Sequence, residues 1–180
     1  LAQEALVRMM TSGSRHVQAA SFSLAAKVSL QRSKQLAGVM AGALLTVQEV
    51  NAPAEARAHS AGLLALDPNG IRMGVFQRLL TPREPREVQA AAGRVLVQSE
   101  ERAAMRILSE SFNSSTPEIR AIIETGFAKS VNRISFFLEA LENGAIDPAL
   151  VSPAFRARLL QHPAADIGQR AQKLVANNLD

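Results

Sequence analysis

Five stretches of this chain can be written in one register: "HVQAASFSLAAK" from His16, "EARAHSAGLLAL" from Glu55, "EVQAAAGRVLVQ" from Glu87, "EIRAIIETGFAK" from Glu118 and "DIGQRAQKLVAN" from Asp166. Each opens on a polar or acidic residue and continues with an aliphatic residue or Ala (Val17, Ala56, Val88, Ile119, Ile167). A second apolar site follows seven and eight residues later, at Leu24 with Ala25, Leu63 with Leu64, Val95 with Leu96, Gly126 with Phe127 and Leu174 with Val175. These separations return to one face of an α-helix, so every copy predicts an amphipathic helix with an inward stripe. Pro53, Pro85, Pro117 and Pro163 precede four copies closely, where a missing N–H costs nothing, and acidic residues near the starts suit the positive end of the helix dipole. A short helix cannot bury its own stripe, so the copies must pack on each other or on whatever lies between them.

What lies between them is also helical in pattern. "QLAGVMAGALLTVQEV", "IRMGVFQRLL", "EERAAMRILSESF" and "VNRISFFLEALENG" carry their own stripes, among them Met105, Leu108 and Phe112, and Ile134, Leu138 and Leu141. Breakers separate the elements: "DPNG" at 67 to 70, "TPREP" at 81 to 85, "NSSTP" at 113 to 117, "NG" at 143 to 144 and "HP" at 162 to 163. The aliphatic residues that follow the copy starts stand at 17, 56, 88, 119 and 167. The intervals are 39, 32, 31 and 48, the middle two fitting helix pairs and the last leaving room for a further short helix near "SPAFRARLL". Composition agrees: 47% of the residues are apolar, yet Trp and Tyr are absent and Phe numbers seven. Small aliphatic side chains favour thin helices packed closely on one another. The expected fold is all-α, an α-solenoid of about five two-helix repeats forming one domain over residues 1–180. A conventional helical bundle is the alternative.

Composition also bounds the chemistry. With no Cys there is no disulfide, thiolate nucleophile or covalent haem attachment within these residues. The longest apolar run, "LAGVMAGALLTV", is 12 residues between Lys34 and Glu49, short of the roughly 20 that a membrane span needs. The net charge of +4 resides in residues 1 to 34, where Arg8, Arg15, Lys27, Arg32 and Lys34 face only Glu4. That excess reads as a solvated helix face rather than a phosphate-tracking stripe. The chain starts at Leu1 inside an apparent helix, which reads as a segment of a longer protein.

No reaction is legible in the residues. His16, His59 and His162 fall in three different copies, with no His-x-x-x-His pair, so no metal site is assigned; His162 before Pro163 reads as a turn. Glu100 and Glu101 cannot face each other on a helix and read as a cap for "RAAMRIL", while Glu139 and Glu142 read as exposed. Ser12, Ser14, Ser21, Ser23, Ser109, Ser111, Ser114 and Ser115 lie in no nucleophile elbow, "NSST" reads as a loop and cap, and "TSGSRH" lacks the Lys-Ser/Thr of a phosphate loop. No catalytic, cofactor-binding or metal-ligating residue is therefore assigned, and no cofactor is expected in this segment.

The repeat of Pro, a short polar gap, aliphatic-Arg and Ala or Leu stripes resembles HEAT and armadillo-like repeats. "PEIRAIIETGFAK" and "APAEARAHSAGLLAL" are its clearest copies; Arg57 and Arg120 match the family's common basic position, whereas Gln18, Gln89 and Gly168 depart from it. A narrower resemblance lies in "FFLEALENGAIDPALVSPAFRARLLQHPAADIGQRAQKLVA". There Leu138, Leu141, Gly144, Leu150, Arg158, Leu159, Leu160, His162, Pro163, Arg170 and Ala171 are similar to the helical segment that precedes the cytochrome c domain of large exported propeller, HEAT and haem-binding proteins of the membrane-bound dehydrogenase-like type. The haem motif is not in this chain. The resemblance implies a periplasmic or exported location and a role as spacer or docking region.

Together these readings make the chain a non-enzymatic scaffold for a protein partner or a neighbouring domain of the same chain, with a continuous core at Leu24, Leu63, Leu64, Leu96, Ile119, Ile123, Phe127 and Leu174. The alternative is a HEAT-like nucleic-acid-binding protein of the DNA glycosylase type, using Arg72, Arg78, Arg83, Arg86, Arg94, Arg102 and Arg106 on one concave face. Interspersed Glu84, Glu87, Glu100 and Glu101 and the lack of Trp and Tyr weigh against nucleic acid as the partner.

Overall fold

A computed structural model describes residues 34–67 and 70–175, with isolated positions between 5 and 21. Every regular element among the described residues is helical. None of these helices is long and apolar enough to cross a membrane. The chain divides into two compact units, Leu1–Arg72 and Met73–Asp180. The first copy of the sequence register, with His16 and the expected core residue Leu24, falls outside the described residues except for Val17 and Ser21; Val17, expected inward, is exposed.

In the first unit α1 (Lys34–Gln48) packs on α2 (Ala54–Leu64). Met40, Ala43 and Val47 recur at helical spacing and are buried, as are Ala61, Leu63 and Leu64 on α2.

The second unit contains α3 (Met73–Leu79), α4 (Arg86–Leu96), α5 (Arg102–Phe112), α6 (Pro117–Phe127), α7 (Val131–Glu142), a 3₁₀ turn (Pro148–Leu150), α8 (Pro153–Leu160) and α9 (Ala165–Val175). From α3 to α7 each helix packs on the next, and also on the next but one. Two rows result: α3, α5, α7 and α9 in succession, and α4 beside α6. Helix α8 packs on α9 and is tied to α6 by polar contacts at both its ends.

The helix starts follow from short-range chemistry. Thr116, Ser130 and Ser152 each stand at an N-cap and accept a hydrogen bond from the backbone N–H three residues on, with Pro117 and Pro153 in the first turns of α6 and α8. Gly144 ends the turn after α7 at φ +76°, a left-handed conformation that glycine adopts without strain. The core of the second unit converges on Phe137 of α7. Its ring lies 5.7 Å from Phe112 of α5, 5.2 Å from Phe127 of α6 and 5.1 Å from Phe155 of α8, centroid to centroid, so one side chain joins four helices.

Two expectations need correction. Helix α9, written above as the fifth copy, lies in the row of α5 and α7 and not beside α4 and α6. The helix that follows α6 on its own side is α8, from "SPAFRARLL", which shares with α6 a Ser/Thr cap followed by Pro. Stripe spacing cannot distinguish the rows, because buried apolar positions recur at helical spacing in helices of both, as at Phe155 and Leu159 of α8 and at Ile167, Ala171 and Val175 of α9. Leu174, expected in the core, is only half-buried; Ile167, Ala171 and Val175 form the buried stripe of α9 instead. The other expected core residues in the described segments, Leu63, Leu64, Leu96, Ile119, Ile123 and Phe127, are buried.

The chain makes a close approach at Gly126. A Cβ there would meet Val97 Cγ1 at 2.3 Å and Val97 Cβ at 2.6 Å, so the end of α6 touches the chain leaving α4 with no room for a methyl group. Gly74 of α3 faces open space. Gly126→Ala is expected to lower the unfolding free energy by about 1–3 kcal/mol through overpacking. Gly74→Ala should leave it unchanged or raise it by about 0.5–1 kcal/mol through helix propensity. Urea unfolding of both variants checks the pair.

Candidate functional site

The fourth residues of α2, α4, α6 and α8 are Arg57, Gln89, Arg120 and Arg156. All four perform one task. Arg57 donates through Nε and Nη2 to the carbonyl of Val47 at 3.2 Å, and Gln89 Nε2 donates to that of Glu84 at 2.7 Å. Arg120 Nη1 donates to the carbonyl of Ser115 at 2.8 Å, and Arg156 Nε to that of Val151 at 2.9 Å. Each donor reaches back to a carbonyl that the preceding helix or connection leaves unused, which pins the connection against the helix it leads into. Gln89, where the other three helices carry an Arg, supplies the same kind of donor. Gly168 is the fourth residue of α9, which lies in the other row and has no side-chain donor at this place.

A second set of cations holds the helix ends. Arg133 is buried and donates to the carbonyls of Val97, Ser99 and Gly126 and to Glu100 Oε1, joining the exits of α4 and α6 to the start of α7. Lys129 Nζ donates to the Val97 carbonyl and to Gln98 Oε1, both at 2.8 Å. Desolvation and the adjacent Arg133 guanidinium hold the Lys129 ammonium below the usual lysine range, partly opposed by Glu100. Arg158 of α8 donates to the carbonyl of Ala128. Helix C-termini carry partial negative charge, so cations belong there. Buried Glu124 of α6 works in the reverse sense, accepting the backbone N–H and hydroxyl of Ser152 at the start of α8.

A groove of 590 Å³ lies between α5 and α7. It exists because Ala103, Ala140 and Ala145 are too small to fill the space between the two helices, and its lining is mainly apolar. Phe136 is half-buried in it, stacked on Phe127 beneath at 6.3 Å, with the Arg102 guanidinium 5.7 Å over its ring. Arg106 and Glu110, one helical turn apart on α5, stand 3.8 Å from each other at the edge, and Glu139 occupies the opposite edge. A smaller hollow of 170 Å³ lies between the end of α3 and α5, beside Leu80, Pro82 and Ile107.

The side chains singled out in the sequence are dispersed. His59 is half-buried on α2, and His162 forms the turn before α9 by accepting the N–H of Ala164 at its Nδ1. Among the described residues no three His, Cys, Asp or Glu side chains come together. Glu101 makes no capping bond with its side chain and Glu100 pairs with Arg133, so the expected carboxylate cap of α5 is absent; Ser99 Oγ accepts the Glu101 N–H instead. The hydroxyls of Ser109, Ser111, Ser114 and Ser115 donate to carbonyls three or four residues behind them. Ser12, Ser14, Ser23 and the rest of "TSGSRH" fall outside the described residues.

The seven arginines weighed for nucleic acid are divided. Arg72 pairs with Asp67 in the first unit; Arg78 is on α3, Arg83 in the following connection, Arg86 and Arg94 on α4, and Arg102 and Arg106 on α5, in the other row. Arg86 is engaged by Glu118 at 2.8 Å. No protein-family model, curated protein or solved structure matches this chain.

The end of α7 and the middle of α9 are joined by a two-pronged pair, Arg170 Nε and Nη2 to the two carboxylate oxygens of Glu142 at 2.8 and 2.9 Å. The Arg170 hydrogen bonds hold the Glu142 carboxyl below its usual value of 4.5. A carboxylate lowered in the folded state contributes stability that is present above its unfolded pKa and lost as pH falls through the folded one. Partial exposure of both groups keeps that contribution at or below about 1 kcal/mol. Glu142→Gln is therefore expected to lower Tm slightly at pH 7 and to make a smaller difference at a pH low enough to protonate the Glu142 carboxyl in the wild-type chain. Thermal melts at the two pH values check the sign.

Proposed function

We propose that this chain is a non-enzymatic HEAT-like helical-repeat scaffold, in which stacked helix pairs hold a surface for a protein partner or for a neighbouring domain of the same chain. The recurrent fourth-residue donor carries this reading. Four helices, starting at 54, 86, 117 and 153, use the same position to grip the chain that leads into them. A packing device reused at intervals of 32, 31 and 36 residues is what a divergent repeat retains after its sequence has drifted. The two rows of the second unit, in which a helix touches its neighbour in sequence and the next in its own row, support the same reading.

The surface available to a partner is the groove along α5 and α7, where two helices of one row lie side by side with small residues between them. The C-terminal resemblance would place such a scaffold as a spacer ahead of a redox domain. The residues that carry it are well anchored: Leu138, Leu141, Leu159 and Ala171 are buried and Arg170 is paired.

An array of nearest-neighbour contacts unfolds from its ends, whereas a bundle with one shared core opens as a whole. Native-state hydrogen exchange on the whole chain is expected to give opening free energies that rise from α8 and α9 toward α5 and α6. One common value from α4 to α9 would overturn the repeat reading.

A further inference from the structure

We propose that Lys129 is an acylation site, the side-chain amine of this chain that takes an acyl group from a thioester. The cluster around it is crowded with positive charge. Lys129 Nζ and Arg133 Nη1 both donate to one acceptor, the carbonyl oxygen of Val97, at 2.8 and 3.2 Å. Arg158 is held at the carbonyl of the preceding residue, Ala128. The carboxylate bound here, Glu100, lies 3.1 Å from Arg133 Nη2 with its side chain 85% exposed, so water screens much of what it could offer the lysine. Desolvation and the Arg133 guanidinium hold the ammonium below the usual lysine range, with Glu100 opposing. A neighbouring cation and partial desolvation are the conditions that turn a lysine into a nucleophile.

The hydrogen bonds suit the neutral amine as well as the ammonium. Nζ donates to the Val97 carbonyl and to Gln98 Oε1, both at 2.8 Å. An ammonium has three N–H donors and a neutral amine two, so loss of the proton costs neither bond and leaves a lone pair. Lys129 is an exposed residue just beyond the end of α6, within reach of a reagent in water. In the step itself the neutral Nζ attacks the thioester carbonyl carbon. The C–N bond forms, the C–S bond breaks with its electron pair leaving on sulfur as thiolate, and the nitrogen gives one proton to water. The chain has no Cys, so no acyl group arrives by transfer from one of its own thiols and the lysine reacts directly. The amide product keeps one N–H, enough for one of the two bonds, and one positive charge is removed from beside Arg133. The Arg133 bonds to the carbonyls of Ser99 and Gly126 do not involve Nζ, so the helix exits stay joined.

Timed reaction of the whole chain with a neutral thioester, S-acetyl-N-acetylcysteamine, near neutral pH, read by peptide mass spectrometry, tests the site. Lys173, exposed in the last turn of α9, is the internal reference. Lys129 is expected to acylate about threefold or more faster than Lys173. That ratio should fall toward one or below as the pH is raised until both amines are neutral, because the advantage lies in the fraction deprotonated. Glu100→Gln, at an exposed position, removes the opposing charge and should speed Lys129 while leaving Lys173 unchanged. Arg133→Gln should slow Lys129; circular dichroism establishes whether that buried variant folds, and the Glu100 variant keeps the test decisive if it does not. Equal rates at Lys129 and Lys173, a ratio that does not change with pH, or a Lys129 rate that Glu100→Gln leaves unchanged or lowers would overturn the proposal.

Discussion

A hydrogen-bond donor on the fourth residue of a helix, turned back onto a carbonyl of the chain leading into that helix, is the constraint on which the rest of this structure depends. A short helix has only one good turn of hydrogen bonds before its ends begin to fray, and its connections carry carbonyls that water must otherwise satisfy. Arg57, Gln89, Arg120 and Arg156 meet such carbonyls and so fix the angle at which each helix leaves its connection. Once that angle is set, the apolar stripe has one direction in which to be buried.

Close packing completes what the donors begin. Because Gly126 lacks a side chain, the end of α6 comes against Val97, and that approach brings the carbonyls of Val97, Ser99 and Gly126 within reach of a single guanidinium on Arg133. The charge is buried without being orphaned. Among the described residues, every buried side-chain nitrogen and oxygen has a hydrogen-bond partner. In a low-dielectric interior an unpaired group would be costly, so the glycine and the arginine depend on each other. Phe137, touching aromatic rings from three other helices, fills the space that this frame encloses.

The same economy of side-chain size shapes the surface. Where Phe and Ile face inward the rows close tightly; between α5 and α7, where Ala103, Ala140 and Ala145 are small, a groove remains, edged by charges of both signs.

The sequence by itself determined that the chain is helical, where most described helices begin and which face of each is apolar. Those properties are local: a Ser/Thr cap, a proline in the first turn and a 3.6-residue period act within a dozen residues. They made Leu64, Leu96, Ile119, Ile123 and Phe127 readable as core before any packing was known. Only the tertiary structure decided which row each helix joins. The buried apolar positions of α8 and of α9 both recur at helical spacing, and what separates the two helices is long-range: α9 meets α7, whereas α8 is caught by Glu124 and by the Ala128 carbonyl. Tertiary packing likewise made Arg133 the buried tie between helix ends, and created the α5 to α7 groove from alanines that in sequence carry no such signal. A period describes one helix, and a site is made by two.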